Sequence, residues 1–301
     1  MQITSLLDST PLGPMLEERD LILVTGKGGT GKSTLVAALA ALAVERRGGA
    51  LAVELALDPR LPPMIAPGVG VELAHIGADS VVGSALGRIL GLPTVVSAVL
   101  RNRVLQLFVR TSPAVREMIL IDELRDLVDR NTRLRRPVIV DLPATGHALT
   151  FLDTPRSVRR MLRVGPVAHA AEKAERLVVD ASRTELVVVS LPEELPVNET
   201  IELLQKAGEI GISSRTVVVN QVPPSALGLD RGWLEVIQNH SEGAVGRFAS
   251  AARGDLEEAD QARAQIQRLR DSVRAQVVEI PRFPGLEPRA TVHTMAEALS
   301  S

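Results

Sequence analysis

The stretch that most restricts this chain is Leu21-Ile22-Leu23-Val24-Thr25-Gly26-Lys27-Gly28-Gly29-Thr30-Gly31-Lys32-Ser33-Thr34. Leu21 to Val24 is a short apolar run ending in glycines, which reads as a buried parallel strand. From Lys32 to about Arg47 an Ala- and Leu-rich run reads as a helix closed by Gly48-Gly49. Between them lies G-x-x-x-x-G-K-[ST], in the strand-to-helix setting that the pattern requires. Glycines there let successive backbone N–H groups turn inward and cup phosphate oxygens, and the helix N-terminus adds a favourable dipole. Gly26, Lys27, Gly28, Gly29, Thr30, Gly31, Lys32, Ser33 and Thr34 are therefore the candidate phosphate-binding set. Lys32 is placed to reach the β- and γ-phosphates of a nucleoside triphosphate, and Ser33 to ligate Mg²⁺.

The rest of the chain repeats the alternation. Further strands are expected at Leu51 to Leu55, Val138 to Val140, Glu185 to Val189, Arg215 to Val219 and Gln276 to Ile280. Helical patterns lie between them, among them Val197 to Ala207 and Glu257 to Arg274. Strands alternating with helices predict an α/β fold, a mostly parallel sheet flanked by helices on both faces. Residues 1–19, with Pro11, Gly13 and Pro14, read as a flexible lead-in to one domain over 20–301. Residues 60–136 form a helical insertion within it, Leu- and Val-rich from Val81 to Val109 and more charged from Pro113 to Arg130.

Composition narrows the chemistry. Hydrophobic residues at 45% allow a sizeable core, while a net charge of −2 and 2% aromatics give no reason to expect nucleic-acid binding. The absence of cysteine excludes disulfides, thiolate zinc sites and a cysteine nucleophile. No stretch has the apolar length of a membrane span, and the acidic first twenty residues do not read as a secretory signal, so a cytoplasmic location is expected. Only four lysines occur, Lys27, Lys32, Lys173 and Lys206, and two of them fall in the glycine loop.

Carboxylates at the carboxyl ends of parallel strands point into the ligand crevice. Asp141 closes the third expected strand and is the candidate to hold Mg²⁺ through water. Asp58 follows the second strand and is the candidate to orient the attacking water, with an Asp-Pro turn as the competing reading. Glu54 could serve in its place if that strand ends sooner. His75, His169, His240 and His293 have no ligand spacing and read as ordinary surface or core residues.

Gly26-Lys27-Gly28-Gly29-Thr30-Gly31-Lys32-Ser33-Thr34, with its doubled lysine, resembles the loop of the deviant-Walker ATPases. Asp141-Leu142-Pro143-Ala144-Thr145-Gly146-His147-Ala148-Leu149 is similar to switch II of the ArsA/Get branch of that class. Leu191-Pro192-Glu193-Glu194 with Asn198-Glu199-Thr200, Val217-Val218-Val219-Asn220-Gln221 and Pro281-Arg282-Phe283-Pro284 resemble further segments of the same family, and Val164-Gly165-Pro166 its bacterial members. The resemblance spans roughly 20–290 and is weakest from 60 to 136. It implies a Mg²⁺-dependent ATPase that works as a homodimer or as a heterodimer with a related ATPase. Lys27 would act across the dimer, Lys32 and Asp58 would serve catalysis, and Asp141, Thr145, Gly146 and His147 would form switch II. Asn220, Pro281 and Phe283 would surround adenine. His147 is not assigned proton transfer.

Two departures follow. Eukaryotic members bind zinc through paired cysteines at the dimer interface and arsenite-handling members use cysteines for arsenite; this chain has none. The family's client groove is rich in methionine, whereas the insertion here holds Met64 and Met118 among mainly Leu and Val. Leu86, Ile89, Leu90, Val95, Val96, Val99, Leu100, Val104, Leu105 and Phe108 could line a groove for a hydrophobic client helix, or pack as core, which is the favoured reading. The unknown partner could also bring the chain to a membrane peripherally. A nucleotide-binding subunit with little hydrolysis of its own and a small-molecule kinase are the competing functional readings.

Overall fold

The computed structural model describes residues 12–55, 60–65, 70–90, 111–224, 231–240 and 243–300. Among them a seven-stranded parallel sheet carries the fold: β1 (Leu21–Gly26), β2 (Ala50–Glu54), β3 (Val71–His75), β4 (Val138–Asp141), β5 (Thr184–Ser190), β6 (Thr216–Val222) and β7 (Gln276–Pro281). Their order is β3-β2-β4-β1-β5-β6-β7, every pair parallel. β1, β2, β4 and β5 are buried along their whole length, as strands covered on both faces must be.

Alternate side chains of each strand feed two different cores. On one face Ile22, Val24, Ala52, Ile139, Val187 and Val218 pack beneath α1 (Leu12–Glu18), α2 (Lys32–Arg47) and, at the end of the chain, a helix over Pro288–Ser300. On the other face Leu21, Leu23, Val53, Val140, Leu186 and Val217 pack beneath α3 (Ala78–Leu90), α4 (Pro113–Arg133), α5 (Thr145–Met161), α6 (Pro166–Val179) and α7 (Glu194–Glu209). The remaining helices are α8 (Arg231–His240) and α9 (Ala244–Ser272), which makes the Pro288–Ser300 helix α10.

Three expectations are corrected. β3 is a seventh strand that the sequence pattern did not reveal. It lies at the sheet edge with most of its side chains exposed, and its pairing with β2 defines it. Residues 12–18 are not part of a flexible lead-in: α1 buries Leu12, Met15 and Leu16 against α2. The breakers Gly13 and Pro14 sit in its first turn, where a helix tolerates them. The helix expected from Glu257 begins at Ala244.

In the insertion, α3 is tied to α4 by charge. Arg88 lies 3.1 Å from Asp122 and 2.5 Å from Glu123, both buried. Ile89 is buried in the core, which fits packing better than a groove for this helix; Val95 to Phe108 lie outside the described residues.

Candidate nucleotide site

β1, β4, β5 and β6 all end at one edge of the sheet, and the glycine loop joins β1 to α2 there. Two glycines in it are required by geometry. At Gly26 a Cβ would stand 2.1 Å from the Val189 carbonyl oxygen of β5. At Gly31, with φ +93°, it would stand 2.2 Å from Nδ2 of Asn220. The loop is also closed on itself, since the Lys27 carbonyl accepts from Thr30 Oγ1 at 2.9 Å and from Lys32 Nζ at 3.0 Å.

Strand register brings the acidic residues in. Asp141 pairs in register with Val24 of β1 and with Glu54 of β2, so two buried carboxylates stand side by side at the strand ends. Ser33 Oγ, in the first turn of α2, donates to Asp141 Oδ2 at 2.5 Å. The backbone N–H of Arg60 donates to Glu54 Oε1 at 2.5 Å. Burial raises the Asp141 carboxyl above the usual aspartate range; the Ser33 hydroxyl and Lys32 pull it down, and Glu54 pushes it up. Burial also lowers the Lys32 ammonium, against the attraction of Asp141 and with the repulsion of Arg60. A hydroxyl beside two desolvated carboxylates is a hard-oxygen donor set that fits Mg²⁺. Glu54 is a carboxylate that the structure puts next to Asp141; Asp58 lies outside the described residues.

Thr145, Gly146 and His147 open α5 four residues past Asp141, and Gly146 and His147 are exposed. Thr25 Oγ1 of β1 donates to the Pro143 carbonyl at 3.2 Å, fastening this segment to the strand beside the loop. Lys27 extends the other way, to Glu199 of α7, at 3.0 Å. Sequence reading had noted Glu199 only as part of a resemblance; nothing local could link it to a lysine 172 positions away.

Asn220 is not free to face a base in this arrangement. It is 5% exposed, and its Nδ2 donates to the Thr30 carbonyl at 2.9 Å, buttressing the loop from behind. Directly after it Gln221 takes φ +58°, at an irregularity in the β6–β7 pairing between Val219 and Val222. A non-glycine residue held there is a local strain of the kind kept at functional sites. Asn220 and Gln221 border a pocket of about 360 Å³ with Gly31, Thr34, Pro281 and Phe283, so the expected adenine-side residues do come together. Arg60 escaped sequence reading, having no pattern around it. Among the described residues no cluster of three or more His, Cys, Asp or Glu forms a metal site, and His169 and His293 are exposed beside glutamates of their own helices.

Comparison with known proteins finds ATPases. The family model for the anion-transporting ATPases matches residues 164–230, which span α6 to the end of β6. The chain is 30% identical over 226 residues to the ATPase BagA of Mycobacterium tuberculosis, covering 69% of this chain and 66% of that protein. This chain is similar to ATPases of the ArsA/Get family. It is also 27% identical over 240 residues to a Halobacterium salinarum protein carrying the name arsenical pump-driving ATPase, over 71% of this chain and 36% of the relative. An ATPase ASNA1 homolog of Entamoeba histolytica is 24% identical over 258 residues, covering 67% and 76%. The matched stretch thus falls just short of two thirds of the mycobacterial relative. Among the described residues, no helix of this chain is long and apolar enough to cross a membrane.

Proposed function

We propose that this chain is a Mg²⁺-dependent ATPase whose working unit is a dimer closed over nucleotide. The observation that carries the reading is the Ser33–Asp141–Glu54 group beside a glycine loop whose lysine carries a weakened proton affinity. Ser33 and Asp141 would hold the cation, Asp141 through water, and Lys32 would leave the Lys27 carbonyl for the terminal phosphates. Bound Mg²⁺ supplies positive charge that offsets the phosphates and the two buried carboxylates. Glu54 or Asp58 would orient the attacking water.

Lys27 supports the dimer. Its ammonium is turned out of its own loop onto Glu199, so its charge is available at the surface rather than in the cradle. A partner chain facing this loop would receive it at the γ-phosphate. Hydrolysis would then relax the segment from Asp141 to His147 and, through α5, the helical insertion that is the candidate surface for a partner or client. A heterodimer with a related ATPase would use the same geometry, and a cytoplasmic location fits either.

Purified protein with ATP and Mg²⁺ is expected to release phosphate with no added acceptor, and Lys32→Ala to lose this activity by several orders of magnitude. Phosphate transfer seen only with an acceptor metabolite would make it a kinase. Tight nucleotide binding without turnover would make it a binding subunit.

A further inference from the structure

Arg60 stands at the edge of the sheet where β2 ends beside Asp141, and its main chain is held on both sides. Before it, its backbone N–H donates to Glu54 Oε1 at 2.5 Å. After it, Leu61 is 1% exposed and shares a core with Leu35 and Leu39 of α2. A turn closes behind Leu61, whose carbonyl accepts from the N–H groups of Met64 at 2.9 Å and Ile65 at 3.2 Å. Arg289 of α10 donates to the Pro63 carbonyl at 3.1 Å and fastens that turn from outside. None of these contacts uses the Arg60 side chain.

That side chain is exposed, and its guanidinium makes no ion pair or hydrogen bond among the described residues. The neighbouring carboxylates are engaged elsewhere, Glu54 by the Arg60 N–H and Asp141 by the Ser33 hydroxyl. The Arg60 charge still reaches the site. Burial, then Asp141, then Arg60 set the proton affinity of Lys32, and Arg60 acts on Asp141 after burial, Ser33, Lys32 and Glu54. Two cations of one chain thus serve the same crevice, Lys32 from the glycine loop and Arg60 from the segment after β2. Lys27 is turned away from it, onto Glu199.

When ATP is hydrolysed, the water oxygen bonds to the γ-phosphorus as the bond from that phosphorus to the β–γ bridging oxygen breaks. The electron pair leaves with ADP, and the proton of the water ends on the released phosphate. Negative charge spreads over the γ-phosphoryl oxygens in the transition state, and cations fixed beside them speed the step. Lys32 and Mg²⁺ together carry less charge than the triphosphate, and the two buried carboxylates widen the deficit. A guanidinium suits this place, since it stays charged when desolvated and offers parallel donors to two phosphoryl oxygens. We infer that Arg60 closes onto the γ-phosphoryl oxygens of the nucleotide held by its own chain and stabilises the transition state there. The inference rests on the ATPase reading above and adds a catalytic residue to it; it does not require the dimer.

Arg60→Ala keeps the N–H that meets Glu54 and the burial of Leu61, so the variant should fold as the unaltered chain does. Phosphate release from saturating ATP is measured on the full chain, together with equilibrium binding of ADP and of ADP with aluminium fluoride, which mimics the transferring phosphoryl group, all with Mg²⁺. Arg60→Ala should slow release by about 100-fold or more and weaken the aluminium fluoride complex by a similar factor. Binding of ADP alone should change by less than about threefold. Arg60→Lys keeps the charge without the planar fork and should recover part of both losses. If Arg60→Ala releases phosphate within about threefold of the unaltered rate, the ATPase reading stands and this inference fails. Equal losses for ADP and for its aluminium fluoride complex would confine Arg60 to ground-state binding and overturn the inference. Recovery on mixing Arg60→Ala with Lys32→Ala chains would place Arg60 at a partner's nucleotide and overturn it as well. If the unaltered chain releases no phosphate, the ATPase reading and the inference fall together.

Discussion

Replacing Gly31 by alanine probes how the nucleotide loop is held. Gly31 sits at φ +93°, ψ 22°, where a residue with a Cβ costs about 1–2 kcal/mol. The added carbon would lie 2.2 Å from Asn220 Nδ2, so the amide must leave the Thr30 carbonyl that it meets at 2.9 Å. Asn220 is almost wholly buried, and a donor and acceptor stranded there cost about 1–3 kcal/mol. The sum is about 2–5 kcal/mol, a large part of the ~5–15 kcal/mol that stabilises a typical domain. Gly28 is the control: a Cβ there meets nothing within 4 Å and its φ is not positive, so Gly28→Ala should change stability by less than about 1 kcal/mol and in the favourable direction. Urea unfolding of the nucleotide-free protein measures both. In the Gly31→Ala background, Asn220→Ala removes the collision, so the double variant should be more stable than the sum of the singles by about 1 kcal/mol or more. Gly31→Ala and Gly28→Ala behaving alike would refute the reasoning.

Asp141→Asn should separate stability from function. Because the Asp141 carboxyl is raised by burial, the native state holds its proton more tightly than the unfolded chain, and stability falls as pH rises from about 4 through the raised value. The asparagine variant should therefore show a flatter pH profile and a higher melting temperature without ligand at neutral pH, yet gain nothing from Mg²⁺ and ATP; calorimetry with and without ligand decides this. Arg88→Ala strands the buried Asp122 and Glu123 and should loosen α3 by about 2 kcal/mol, less than a wholly buried pair would because Arg88 is partly exposed, as read by hydrogen exchange in Ala78–Leu90. Glu199→Gln frees Lys27 from a half-exposed ion pair and should tighten nucleotide-driven association by at most about fivefold in light scattering.

The loop was legible because its chemistry and its strand-to-helix setting are both local in sequence, and α2 ends where Gly48 takes a left-handed conformation. Asp141 was legible for the same reason, as the end of a buried apolar strand. What escaped depends on distant partners. Val71-Glu72-Leu73-Ala74-His75 becomes a strand through pairing with β2, and its composition gives no sign of this. Glu54 becomes a candidate through the register of β2 against β4, which sets it beside Asp141. Asn220 lines one pocket with Pro281 and Phe283, but its hold on the Thr30 carbonyl needed the approach of β6 to the loop.

The claim that two chains share each site is tested most directly by mixing two inactive variants. Lys27→Ala keeps its own Lys32 but offers its partner no loop lysine; Lys32→Ala does the reverse. In a mixed dimer the site on the Lys27→Ala chain regains both lysines, so phosphate release should return to about a quarter of the unaltered rate, one competent site in half of the dimers. If Lys27→Ala hydrolyses ATP unaided, or if the mixture stays as inactive as its components, Lys27 does not act across a dimer.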